Sequence, residues 1–98
     1  MPAIGDAQIE RVRALVASIP SGRVATYGDI ATAAGLSSPR IVAWIMRTDS
    51  ADLPWHRVIR ASGAPAAHLA SRQLELLRTE GILARDGRVP LTQVRHSF

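Results

Sequence analysis

Apolar residues return at three- and four-residue intervals from Ile9 through Val12 and Val16 to Ile19. That spacing belongs to one buried helix face, so the chain is expected to open on a helix. Asp6 is placed to cap it, and Pro20 followed by Ser21-Gly22 to end it. A short extended piece, Arg23-Val24-Ala25, comes next. Thr26 and Asp29 then stand at capping-box spacing, with the shorter acid at the far end. They predict a short helix through Ala34, closed by Gly35. Ser38 before Pro39 marks another helix start, and this helix runs to about Arg47. A short helix, a tight turn and a second helix make the helix-turn-helix pattern, whose second helix usually meets DNA.

The rest of the pattern is sparser. Thr48 to Pro54 reads as a polar loop, and residues 61–67 as a loop of small residues. A helix is expected over about 69–80, with Leu69, Gln73, Leu76, Leu77 and Glu80 along one side and Gly81 closing it. Ile82-Leu83-Ala84, the turn Arg85-Asp86-Gly87-Arg88 and Val89 to Val94 predict a hairpin, because Asp-Gly favours a tight turn. The tail to Phe98 is expected to be loose. The expected fold is therefore mainly α: a winged-helix-like helix-turn-helix domain with a small terminal β-hairpin, the whole chain 1–98 forming one domain.

Within the second helix of the pair, Ile41, Val42, Ile45 and Met46 form an apolar arc suited to a core. Arg40, Trp44 and Arg47 fall on the other side. Two readings stay open for that side. The arginines could grip phosphates while Trp44 stacks on bases; or the face is simply solvated, with Trp44 folded onto a neighbouring loop.

Composition narrows the chemistry. The chain of 98 residues contains no cysteine, which removes disulfides, thiolate metal sites and cysteine nucleophiles together. Its three histidines, His56, His68 and His96, lack metal-ligand spacing, so neither a metal nor a cofactor is expected. All twelve basic residues are arginine, and with eight acidic residues they leave a net charge of +4. That balance suits an anionic partner, nucleic acid first, but many small basic proteins bind no polyanion, so composition alone leaves both readings open. No apolar run approaches the ~20 residues that span a bilayer, and no signal peptide is visible. An intracellular protein without membrane contact is expected, and no segment suggests a dimer.

Pro54-Trp55-His56-Arg57-Val58-Ile59 carries the most information. It resembles the active-site signature of the O6-alkylguanine-DNA alkyltransferases, Pro-Cys-His-Arg-Val, with tryptophan in place of the acceptor cysteine. That replacement marks the alkyltransferase-like proteins. The resemblance extends over Ile19-Pro20-x-Gly22-x-Val24-x-Thr26-Tyr27-Gly28-x-Ile30-Ala31, which is similar to the family's entry into its helix-turn-helix. Arg40-x-Val42-Ala43 matches its arginine-finger helix, and Leu76-Leu77-x-x-Glu80-Gly81 its last helix. Residues 9 to 81 are covered in order. Three departures stand out. Trp44 replaces a family glycine, Asp49 falls roughly where alkyltransferases have asparagine, and Ala64 to Leu69 replace a Tyr-x-Gly-Gly type loop.

The resemblance implies a non-enzymatic sensor of O6-alkylguanine in double-stranded DNA. It would dock its helix-turn-helix in the minor groove, rotate the damaged nucleotide out of the stack and mark the site for nucleotide excision repair proteins. Arg40 would fill the vacated space, its planar guanidinium stacking and donating to the orphaned base. Tyr27 would press on the neighbouring phosphate. The implied lesion pocket is Tyr27, Met46, Pro54, Trp55, Val58 and His68. The implied duplex contacts are Thr26, Tyr27, Ser38, Arg40, Trp44, Arg47, Arg60 and Ser62. His68 either covers the flipped base or caps the last helix. His56 and Glu80 match residues that serve the cysteine in alkyltransferases. With no thiol to activate, they are expected to persist as a vestigial hydrogen-bond network. Alkyl transfer needs a soft nucleophile that keeps the alkyl group, and indole is not one. Two other readings stand beside this: a sequence-specific helix-turn-helix regulator without lesion preference, and an enzyme using a serine such as Ser62, for which no activating pattern is visible.

Overall fold

The computed structural model describes residues 4–98. Helix α1 spans Asp6–Ala17. Asp6 is its first helical residue rather than its cap. Gly5 takes the cap position, and the Gln8 side chain accepts from the Gly5 N–H at 3.0 Å. Val12, Val16 and Ile19 are buried as their spacing requires. They pack with Ile30 and Ala31 of α2 (Tyr27–Ala34), Val42 and Ile45 of α3 (Pro39–Thr48), and Ala25 and Val58. The capping signals place α2 and α3 well. Thr26 Oγ1 accepts from Asp29 N while Asp29 Oδ2 accepts from Thr26 N, Gly35 closes α2 at φ +71°, and Ser38 Oγ accepts from Arg40 N.

A two-stranded parallel sheet, not foreseen as a pairing, organises the site. Strand β1 (Ala25–Thr26) pairs with β2 (Val58–Ile59), Ala25 opposite Val58 and Thr26 opposite Ile59. Parallel strands need a crossover connection, and here the helix-turn-helix is that crossover. Tyr27 and Arg60, the next residue on each strand, therefore leave the sheet side by side. Below the sheet, Val24 and Ile59 meet Leu77 of α4 (Ala70–Thr79), with Ile82 and Val89 completing a second buried cluster. A single 3-10 turn, 67–69, replaces the expected first turn of α4.

The terminal hairpin forms only at its turn. Arg85 and Arg88 exchange both backbone hydrogen bonds (2.8 and 3.0 Å), with Asp86 and Gly87 at φ +52° and +74°. This is the type I′ geometry that Asp-Gly favours. No ladder continues past it. Pro90 has no N–H to donate, and residues expected as a strand coil into a short helix, α5 (Leu91–Val94).

The tail is also not loose. Val24 N–H donates to Val94 O (2.9 Å), His96 N–H donates to Val24 O (2.7 Å), and the Arg95 guanidinium forks onto Asp29. The chain is thus held on one edge by the tail at Val24 and on the other by β2 along β1. One glycine is required by contact as well as by backbone. Gly63 is buried at φ +84°, and a Cβ there would lie 2.6 Å from Val89 O. Among the described residues no helix is long and apolar enough to cross a membrane.

Candidate nucleic-acid interface

A cleft of about 560 Å³ opens beside α3. Elements from across the fold supply its walls. Arg40, Ala43, Met46 and Arg47 come from α3, and Tyr27 from the start of α2. Trp55 and Val58 come from the 3-10 turn at Trp55–Arg57 and the strand it leads into. Arg60, His68, Leu69 and Gln73 close the far side. Each position has a local cause. Tyr27 is the first helical residue after the capping residue Thr26, so the capping box fixes its backbone. Trp55 stands on a turn held by Arg57 N–H donating to Pro54 O at 3.0 Å.

The electrostatics are one-sided. Arg40, Arg47 and Arg60 are exposed, their guanidiniums bond to no protein group among the described residues, and no carboxylate lines the cleft. Acidic residues are matched elsewhere: Asp49 and Asp52 by Arg13, Asp29 by Arg95, Glu80 by Arg57. Three of the arginines without a carboxylate partner therefore stand at the cleft. Burial pushes the Tyr27 phenol above its usual value, and nearby Arg60 pulls it back only in part. At neutral pH Tyr27 is a protonated hydroxyl, able to donate to an anionic oxygen.

Behind Trp55 lies a compact polar network. His56 Nε2 sits 2.6 Å from Glu80 Oε2. Arg57 donates to both Glu80 oxygens and, through its other terminal nitrogen, to Ile19 O at 2.9 Å. Gly22 N–H donates to Glu80 Oε1 at 3.1 Å. Burial alone would raise the Glu80 carboxyl, but the hydrogen bonds from Arg57, His56 and Gly22 outweigh it and hold the group at about 2. This carboxylate ties the end of α4 to the turn after α1 and to the Trp55 turn, and it does so without a nucleophile to serve. Its stabilising effect is whole above the ordinary carboxyl value of 4.5 and is lost as pH falls towards 2. Acid melts between pH 5 and 2 are expected to show a fall in Tm that is clearly smaller in Glu80→Gln.

Of the expected lesion-pocket residues, Tyr27, Met46, Trp55, Val58 and His68 do line the cleft. Pro54 does not; it caps the 3-10 turn from behind. Arg40, Arg47 and Arg60 lie at the cleft, but four other expected duplex contacts are placed differently. Thr26 is buried, and its hydroxyl is spent on the α2 cap. Ser38 uses its hydroxyl to cap α3. Trp44 is half-buried beside Ile41 against the core and is not part of the cleft wall. The side of α3 that lines the cleft carries Arg40, Ala43, Met46 and Arg47, while Val42 and Ile45 take the deepest positions and Trp44 packs at the edge of the core. Ser62 is exposed, and its Oγ accepts from Ala64 N at 3.3 Å.

The residue that sequence reasoning missed is Gln73. Only 2% exposed, it donates to His56 O (3.1 Å) and Val58 O (2.7 Å) and accepts from Ala66 N (3.3 Å). A lone polar residue on the inward side of α4 was the available signal.

These features together define a helix-turn-helix nucleic-acid-binding domain with a pocket beside its second helix. Comparison with known proteins makes this specific. Residues 7–82 match the family model of the 6-O-methylguanine DNA methyltransferase DNA-binding domain. The chain belongs to this family and is an alkyltransferase-like member of it, with Trp55 at the acceptor position and no cysteine in its sequence. It is 35% identical over 97 residues to the DNA base-flipping protein of Escherichia coli, covering 91% of this chain and 74% of that protein. It is 38% identical over 74 residues to alkyltransferase-like protein 1 of Schizosaccharomyces pombe, covering 68% of each. The crystal structure of that S. pombe protein with damaged DNA containing O6-carboxymethylguanine superposes with a TM-score of 0.87 at 28% identity, over 98% of this chain and all of the other. The O6-methylguanine methyltransferase of Mycobacterium tuberculosis superposes at 0.67 with 30% identity, over 86% of this chain and 53% of the enzyme.

Proposed function

We propose that this chain is a non-enzymatic sensor that takes an O6-alkylated guanine, rotated out of duplex DNA, into the cleft beside α3. The observation that carries the reading is the cleft itself: about 560 Å³, walled by Trp55 where alkyltransferases carry their cysteine, and ringed by three unpaired arginines. Small-molecule sites of this kind commonly span roughly 300–1,000 Å³. A flipped purine with its substituent fits that range.

The helix-turn-helix approaches the minor groove. Tyr27 and Arg60, side by side after their strands, engage the phosphates next to the flipped nucleotide. Arg40, in the first turn of α3, enters the gap left in the stack. Extrusion costs a few kcal/mol, and less where pairing is already weak. Alkylation at O6 removes the N1 proton of guanine and so favours capture. Trp55 and Met46 present apolar surface to the alkyl group. No bond has to break, so alkyl size is limited by room rather than by geometry of attack. The base stays intact, and removal falls to nucleotide excision repair proteins recruited to the marked site. The protein acts as a monomer.

One titration tests this. A short labelled duplex carries guanine or O6-methylguanine at a single position, at fixed salt. Wild type is expected to prefer the alkylated duplex, and Trp55→Ala to lose most of that preference, a several-fold change. The lesion should be recovered unaltered after binding. Equal binding to both duplexes would point instead to a sequence-specific regulator.

A further inference from the structure

We infer that the Asp86-Gly87 turn is a second, rigid contact to the phosphodiester backbone, outside the cleft. This rests on the DNA-binding part of the function proposed above, but not on lesion recognition. The turn lies beyond residue 82, where the family-model match ends.

The first argument is a local conflict. Arg85 and Arg88 are bridge partners. Directly opposed residues project to the same face with Cβ atoms about 4.5–5.5 Å apart, and like charges so placed destabilise the pair. Nothing in the protein relieves them. Both guanidiniums are exposed and, among the described residues, neither meets a carboxylate. Asp86 sits at the tip at φ +52° and forms no ion pair with either. Two opposed, uncompensated arginines on a tight turn make a poor structural pair and a good fork for an anion. Guanidiniums bind phosphate oxygens in this way.

The second argument is continuity with the cleft. Val89, next to Arg88, donates its N–H to Gly63 O at 2.8 Å, and Gly63 donates to Arg60 O at 2.9 Å. Arg60 lines the cleft. The contact is close: Val89 backbone fills the space where a Gly63 Cβ would go. The turn is therefore locked through its neighbour Val89 to the loop that carries Arg60 and Ser62, which fixes the backbone of Arg88 relative to that of Arg60. A duplex seated on the cleft has repeating phosphates along its flank, which suits a second basic contact at a fixed offset.

The test reads salt dependence. Each phosphate neutralised on duplex DNA contributes about 0.9 to the slope of log affinity against log salt. The Arg85→Gln/Arg88→Gln double variant is titrated with the guanine and the O6-methylguanine duplex over a salt series. The expected slope is shallower by about 2 on both duplexes, with the preference for the alkylated duplex unchanged. Its Tm should be no lower than wild type, because a like-charge pair is removed. Asp86→Asn, which keeps a residue tolerant of positive φ, should bind both duplexes tighter by roughly two- to three-fold. A double variant with the wild-type slope, or an Asp86→Asn variant that binds no tighter, overturns the inference. Loss of lesion preference in wild type would sink the sensor reading alone, since the slope change is read on either duplex.

Discussion

Arg40→Ala is expected to cut affinity for an O6-methylguanine duplex by roughly 100-fold while leaving Tm almost unchanged. The stability half follows from the fold. Arg40 is exposed and its side chain bonds to nothing in the protein. The α3 cap uses Ser38 Oγ and the Arg40 backbone N–H, which alanine retains. Surface changes of that kind stay within about 0.5 kcal/mol. The binding half depends on where the guanidinium goes. A side chain that only touches a phosphate costs about tenfold or less when removed. One that fills the space of an extruded nucleotide loses stacking and hydrogen bonds made away from water, about 2–3 kcal/mol, and each 1.4 kcal/mol is tenfold. Arg40→Lys should recover little, since an ammonium keeps the charge but lacks the plane. Fluorescence of 2-aminopurine next to the lesion gives a second readout. Unstacking should brighten it with wild type and not with the alanine variant. Bright signal with Arg40→Ala would move the flipping role elsewhere.

Gln73→Leu carries the largest expected loss of stability, about 3 kcal/mol. The leucine keeps the bulk but abandons His56 O, Val58 O and Ala66 N, all hydrogen-bonded by the amide at present. Each buried backbone group left without a partner costs about 1–3 kcal/mol, and local rearrangement recovers only part of that. For a domain of this size Tm should fall by about 12–20 °C, measured by circular dichroism. The cleft should suffer before the helices, because Gln73 is the residue that joins the Trp55 turn, β2 and the His68 loop. Gln73→Glu separates the two effects: the acceptor to Ala66 survives while the donors are lost, and a carboxylate enters an otherwise acid-free cleft.

What was legible in the sequence had short-range causes. Thr26 with Asp29, Ser38 with Pro39, and Gly35 each act within a few residues, and both helices of the helix-turn-helix start and stop where those signals place them. Trp55 was legible for another reason: its neighbours Pro54, His56 and Arg57 keep a pattern whose one change is chemically decisive. The errors were long-range. The two readings of Trp44 stay level in sequence, and only the packing of α3 against α1 and α2 places its ring at the edge of the core. The pairing of β1 with β2 was invisible, since two-residue strands have no periodicity to detect. Gln73 looked like one polar residue among apolar ones, its partners lying in three separate segments. The tail was expected to be free because nothing near residues 94–96 announces that Val24 needs hydrogen bonds.

That two-sided hold on Val24 and β1 sets an order of assembly. The helices α1 to α3 can form on contacts close in sequence, and their arginines are exposed as soon as they do. The mount of Tyr27 cannot, because β1 waits for β2, and Val24 before it for the segment at and after the end of α5, each closing a long loop. A chain caught part-way therefore owns a basic helix-turn-helix without a cleft. The cleft on which the proposed lesion recognition depends is thus completed by contacts from far along the chain, and it is the part of the fold most exposed to loss when the chain's end comes undone.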